Sequence, residues 1–222
     1  MENNALMDII KVTGICPILA SSPVEDAPAA AQALVKGGLP VLEVLIKNED
    51  SWKNIENIAK QVPEIILGAG TVLTLDSAKR AKDLGAKFLV MPGMSEKIVE
   101  FALKNGMIPL PGCVTATDIM MALDYGIHTV KFFPIYQLGG TDTLNQYTYG
   151  PFPTVNYVVT GGLGSGNFLP LLEGCKNTLA CGGDWMFTDH DALKNRDFAQ
   201  IAANMRDSVL AVQDMRNAKN AR

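Results

Sequence analysis

The chain has 222 residues, 48% of them hydrophobic and 19% charged, and a net charge of −4. That much apolar material fills one large core or two small ones, and the mild charge, with no Lys/Arg-rich block, gives no electrostatic case for nucleic acid or an anionic membrane as partner. The start Met1-Glu2-Asn3-Asn4 is polar, no apolar h-region follows it, and no apolar run approaches the ~20 residues of a membrane span, so a cytoplasmic location is expected.

Short apolar runs alternate with longer amphipathic ones, a beta-alpha rhythm. An amphipathic opening stretch to about Thr13 reads as a helix, followed by a first strand Ile15 to Ala20 and a helix over 25–37 ended by Gly37-Gly38. The second strand is Val41 to Lys47, with a helix from Asp50 to Gln61; the third is Ile65 to Gly70, with helical spacing over Thr74–Leu84 closing at Gly85. Lys87 to Met91 is the fourth strand, ahead of Pro92-Gly93, and Glu96 to Asn105 its helix. Met107 to Leu110 is the fifth, ahead of Pro111-Gly112, and Thr115 to Tyr125 is a helix capped by Thr115 or Thr117. The sixth strand is the run Thr129 to Pro134; a Gly-rich, irregular stretch from Leu138 to Pro153 follows. Asn156 to Thr160 is the seventh strand, before Gly161-Gly162 and a short helix near 167–173. Thr178 to Cys181 is the eighth, before Gly182-Gly183, and a long helix from about Arg196 closes the chain.

Eight strand-helix units without a break in composition predict an α/β chain, a single (β/α)8 TIM barrel over residues 1–222 with an N-terminal helix. An open doubly wound sheet is the alternative, disfavoured because no Gly-x-Gly-x-x-Gly loop opens the first helix. The four cysteines (Cys16, Cys113, Cys175 and Cys181) and two histidines (His128 and His190) are spaced too widely for a zinc or iron–sulfur framework, so no metal is expected and the cysteines read as reduced core residues.

Lys131 is the residue most out of place, an amine inside an apolar strand. An ammonium in apolar surroundings loses hydration, which favours the neutral, nucleophilic amine that attacks a carbonyl to form a Schiff base; the alternative is a lysine that snorkels to water from a strand end. In a barrel the site lies at the C-terminal strand ends and alternate residues point inward. On that rule Thr129, Lys131 and Phe133 share a face of the sixth strand, and Glu43, Leu45 and Lys47 a face of the second. Glu43 is as anomalous among Val41, Leu42 and Val44 as Lys131 is in its strand, so the two are expected to face each other, either as a structural ion pair or as nucleophile and proton carrier. Thr71 and Thr160 add hydroxyls at the same rim. The amides of Gly161-Gly162 and Gly182-Gly183 lie where this fold often binds phosphate, although glycines there also serve tight turns.

These residues resemble the 2-keto-3-deoxy-6-phosphogluconate / 4-hydroxy-2-oxoglutarate (KDPG/KHG) aldolases, class I enzymes of the pyruvate-aldolase type. The likeness runs through Gly126-Ile127-His128-Thr129-Val130-Lys131-Phe132-Phe133-Pro134 with Gly139, Gly68-Ala69-Gly70-Thr71-Val72, Pro92-Gly93, Pro111-Gly112, Thr160-Gly161-Gly162 and Gly182-Gly183-Asp184-Trp185, nearly the whole chain. The resemblance implies a lyase that cleaves a 2-keto-3-deoxy-4-hydroxy acid to pyruvate and an aldehyde, and a homotrimer of barrels. It implies Lys131 as the imine lysine, Glu43 as acid/base, Thr71 on the pyruvyl carboxylate, Pro92, Phe133, Thr160 and the glycine pairs lining the substrate site, and no cofactor beyond the covalent imine. Three positions depart from the family pattern: Lys47 replaces an arginine that forks onto the carboxylate, Ile135 stands after the lysine motif where a small residue is usual, and Asp184 replaces a serine that bonds the substrate phosphate. An aspartate there repels a phosphate and accepts hydrogen bonds where a donor is wanted. An unphosphorylated polyol tail follows from that if Asp184 faces the substrate; a phosphate held by the glycine amides remains if it turns away. A non-catalytic or isomerising sugar-acid-binding barrel is the reading from a different class.

Overall fold

The computed structural model describes residues 4–220. Eight strands alternate with helices: α1 (Asn4–Thr13), β1 (Ile15–Leu19), α2 (Ala27–Lys36), β2 (Val41–Leu45), α3 (Glu49–Gln61), β3 (Ile66–Gly70), α4 (Leu75–Asp83), β4 (Phe88–Val90) and α5 (Glu96–Lys104). The chain continues through β5 (Ile108–Leu110), α6 (Ala116–Asp124), β6 (Thr129–Phe132), α7 (Gly140–Tyr149), β7 (Asn156–Thr160), α8 (Leu169–Gly174), β8 (Thr178–Gly183), α9 (Trp185–Thr188), a 3-10 turn and α10 (Phe198–Asn220). All strand pairs are parallel, in the order β5-β4-β3-β2-β1-β8-β7-β6.

The barrel closes at Lys131. Its backbone N–H donates to the carbonyl of Pro111 (2.8 Å) and its carbonyl accepts from the N–H of Cys113 (2.9 Å), while a parallel bridge joins it to Gly112 across the β5/β6 seam. On the other side it registers with Val158 of β7. Gly112 is needed at this seam, since a Cβ there would overlap the carbonyl of Pro92. The lysine backbone is thus fixed from both flanks before its side chain makes any contact.

Buried apolar residues of the strands and the inward helix faces form one core. Helix starts follow local chemistry. Asn48 accepts from the N–H of Ser51 at α3, Thr74 from that of Ser77 at α4, and Thr115, not Thr117, forms a capping box with Asp118 at α6.

The segment expected to be irregular, 138–153, contains a helix, Gly140–Tyr149. Its residues are weak helix formers and two glycines in left-handed conformation precede or open it, Gly139 (φ 93°) and Gly140 (φ 61°). Packing makes the helix: Leu144 and Thr148, one turn apart, are buried, the Asn145 amide donates to the carbonyl of Gly174 (2.8 Å), and the Tyr147 hydroxyl donates to that of Val114 (3.1 Å). Gly182 and Gly183, expected beyond the eighth strand, are its last two residues, registered with Cys16 and Pro17 of β1. Among the described residues no helix is long and apolar enough to cross a membrane.

Candidate active site

A cavity of about 460 Å³ opens at the C-terminal ends of the strands. Lys131, Thr71, Pro92, Phe133, Thr160, Gly161, Gly162, Gly182, Gly183 and Asp184 line it, together with Ile18, Ala20, Leu45 and Leu163. The structure therefore brings together the residues singled out from sequence, apart from Glu43, which lies one layer deeper, and Lys47.

Glu43 sits two residues before Leu45 on the same face of β2 and is 1% exposed. Its Oε1 is 3.7 Å from Nζ of Lys131, which is 9% exposed. That is ion-pair range but too long for a hydrogen bond, and Oε1 has no hydrogen-bond partner among the described residues. Burial pushes the Glu43 carboxyl above the ordinary carboxylate range, and the Lys131 ammonium draws it only part of the way back. A buried carboxyl with an unspent acceptor, shifted toward its protonated form and adjacent to an amine, is equipped to move protons. Burial, and then the charge of Glu43, likewise raises the thiol of Cys16. The Phe133 ring centroid is 5.7 Å from Nζ.

Glycine at position 70 makes room for this carboxyl. A Cβ on Gly70 would overlap Glu43 Oε1 and come within 2.6 Å of Leu45 Cδ2. Gly70→Ala is therefore expected to displace Glu43, lowering kcat at least ~10-fold and stability by ~1–3 kcal/mol. Steady-state kinetics beside a thermal melt checks both, and an unchanged kcat would show that the carboxyl's seat is immaterial.

Thr71 occupies the left-handed region (φ 58°) directly after β3, a conformation costly for a β-branched residue. Nothing in the local sequence signals it. At the opposite end of the cavity Thr160 Oγ1 is buried without a hydrogen-bond partner among the described residues. Gly161 (φ 111°) and Gly162 (φ 70°) turn the chain after β7. Asn167, which sequence reasoning missed, clamps this turn: its amide donates to the carbonyl of Gly162 (3.0 Å) and its oxygen accepts from the N–H of Gly164 (2.8 Å). Ile18 and Ala20 were also missed, although the same two-residue alternation applied to the first strand points to them.

Lys47 does not join the site as expected. β2 ends at Leu45, so the inward alternation that placed Lys47 on the face of Glu43 no longer holds there. Its backbone N–H donates to Ser51 Oγ (3.2 Å) as the chain turns into α3, and the exposed residue lines an adjoining cavity with Ser21, Ser22 and Asn48 that shares Ala20 and Leu45 with the first. Among the described residues no three His, Cys, Asp or Glu side chains cluster in a way that could hold a metal ion.

A parallel (β/α)8 barrel carrying an amine and a carboxyl at the C-terminal strand ends has the layout of a lyase that handles a carbonyl substrate through a lysine. Comparison with known proteins makes this specific. The family model for KDPG and KHG aldolase matches residues 6–204, and the chain belongs to that family. It is 39% identical over 202 residues to the KHG/KDPG aldolase of Escherichia coli K12, covering 90% of this chain and 93% of the relative. With the 2-dehydro-3-deoxy-phosphogluconate aldolase of Treponema pallidum it shares 35% identity over 198 residues, 89% of this chain and 93% of the other. Among solved structures, the KDPG aldolase of Legionella pneumophila, with pyruvate captured as a covalent carbinolamine intermediate, superposes with a TM-score of 0.82 at 27% identity, covering 91% of this chain and 97% of that one. The Zymomonas mobilis ZM4 enzyme with 3-phosphoglycerate gives 0.81 at 30% identity, covering 93% and 95%. The chain is accordingly a class I aldolase, a lyase that releases pyruvate and an aldehyde.

Proposed function

We propose that Lys131 forms an imine with C2 of a 2-keto-3-deoxy-4-hydroxy acid and that Glu43 carries the protons of the cleavage. The observation that carries this is the buried Glu43 carboxyl 3.7 Å from Lys131 Nζ at the base of the cavity. The amine attacks the C2 carbonyl, and the protonated carboxyl gives its proton to the departing hydroxyl as the carbinolamine dehydrates. The carboxylate so formed takes the C4 hydroxyl proton; the C3–C4 bond breaks, its electron pair moves to the iminium nitrogen as an enamine, and the aldehyde leaves. Protonation at C3 and hydrolysis return the amine and release pyruvate. Thr71 and Pro92 take the pyruvyl end, and Phe133 shields the imine from water. Sodium borohydride with pyruvate tests this directly: a reduced adduct is expected on Lys131, and an unmodified mass under saturating pyruvate would refute the imine.

At the other end Thr160, Gly161, Gly162, Gly182 and Gly183 border the tail of the substrate. Asp184 is among the residues lining the cavity, and a carboxylate there supports hydroxyls over a phosphate as the group it meets. Asp184→Ser is expected to raise kcat/KM for a phosphorylated 2-keto-3-deoxy acid at least ~10-fold relative to its unphosphorylated counterpart. An unchanged ratio between the two substrates would remove Asp184 from tail recognition. The family likeness further supports a homotrimer, to be checked by light scattering, and four free, buried cysteines support a reducing, cytoplasmic setting.

A further inference from the structure

The cavity that holds Lys131 has a neighbour on its tail side. Ala20 and Asp184 line it and also line a second cavity of about 630 Å³. The segment after β1, from Ser21 to Asp26, and the segment after β8, from Asp184 to Arg196, wall this second space. The two segments are far apart in sequence but adjacent in the barrel, because β1 and β8 are paired.

Its charges decide what it can hold. Glu25, Asp26, Asp184 and Asp191 line it together with Lys194 and Arg196. Arg196 Nη2 lies 2.8 Å from Asp26 Oδ1, a carboxylate only 3% exposed, and Lys194 Nζ lies 3.6 Å from Asp191 Oδ1. Arg196 is thus held by a buried carboxylate and Lys194 lies within ion-pair range of an exposed one, whereas Glu25 and Asp184 have no ion-pair partner among the described residues. In this lining a phosphate or carboxylate tail would find each cation already in an ion pair and two carboxylates repelling it. A hydroxyl-bearing chain would find acceptors: the carboxylates of Asp184 and Glu25, and the Ser22 hydroxyl, which donates to the carbonyl of Pro23 (3.0 Å) and keeps its lone pairs free. Ala20 and Asp184, common to both linings, place this acceptor-rich space beside the cavity that holds Lys131.

We propose that the aldehyde half of the substrate is an uncharged polyhydroxylated chain longer than a triose, which passes Ala20 and Asp184 into the second cavity. This rests on the imine reading above and extends it from the reacting atoms to the tail. It makes Ser21, Glu25 and Asp184 determinants of tail length and charge.

The test runs the reaction in the direction of aldol addition, with pyruvate as donor and D-glyceraldehyde, D-erythrose, D-threose and D-erythrose 4-phosphate as acceptors. The better tetrose is expected to exceed both glyceraldehyde and the phosphorylated tetrose in kcat/KM by about tenfold, the worth of one or two well-placed hydrogen bonds. Ser21→Trp, a bulky side chain at an exposed position of the cavity wall, is expected to collapse the ratio of tetrose to glyceraldehyde. Glu25→Gln, which changes charge with almost no change in volume, is expected to shrink the handicap of the phosphorylated tetrose and serves if the tryptophan variant folds poorly. Borohydride trapping with pyruvate accompanies each assay. A missing adduct on the wild-type chain would overturn the imine and this proposal together. An intact adduct with glyceraldehyde equal to the tetroses, or with the phosphate preferred, would overturn the second cavity's role alone.

Discussion

Replacing Lys131 with arginine is expected to leave a folded barrel that forms no adduct with pyruvate and has lost at least ~10³-fold in kcat/KM. Arginine keeps the positive charge beside Glu43, so the buried carboxyl retains its counter-ion and the fold is not asked to hide a lone charge. The guanidinium stays protonated and offers no nucleophilic lone pair, so the covalent step is removed while the electrostatics are preserved. Lys131→Met supplies the complementary variant: it keeps the apolar stem and removes the charge. Because Glu43 already leans toward its neutral form, the methionine variant is expected to remain folded at mildly acidic pH. Intact mass after borohydride reduction and steady-state kinetics read both variants. Activity near the wild-type level in either would show that the reaction does not pass through an imine on this lysine.

The barrel was legible because each strand is a short apolar run bounded by turn residues, and because the two charged interruptions, Glu43 and Lys131, stood out against those runs. Their pairing followed from desolvation: two buried opposite charges in one barrel have few other ways to be compensated. Lys47 misled because residue alternation holds only while the strand lasts, and β2 ends two residues earlier. The helix Gly140–Tyr149 escaped notice because its stability comes from Leu144 and Thr148 burying against distant elements rather than from propensity. Thr71 in a left-handed conformation, the Asn167 clamp and the second cavity were illegible for a related reason. The second cavity joins segments distant in sequence, and the Asn167 clamp and the Thr71 turn rest on single hydrogen bonds and a backbone angle, whereas periodicity reports only the face of a single element.

Glu43→Gln is expected to separate function from stability. Glutamine is nearly isosteric and holds no titratable proton, so the variant should still trap pyruvate slowly while kcat falls by ~10²–10⁴-fold, the range for loss of a positioned acid/base. Stability is expected to move the other way as pH rises. The Glu43 carboxyl lies above its ordinary value of 4.5 in the folded chain, with burial outweighing the attraction of Lys131. Below 4.5 both folded and unfolded chains hold the proton, and this group contributes no difference. Between 4.5 and the raised native value the folded chain binds more protons than the unfolded one, so unfolding free energy falls with rising pH and levels off above that value. The glutamine variant lacks the titrating group and cannot contribute this slope. The difference in Tm, variant minus wild type, should therefore increase from below pH 4.5 toward neutrality, and thermal melts across that interval read it with the other titrating groups cancelled. A flat difference would mean that the carboxylate ionises as readily inside the barrel as in the unfolded chain. An increasing difference together with lost turnover would identify Glu43 as a group held against its preference for water because the proton transfers require it there.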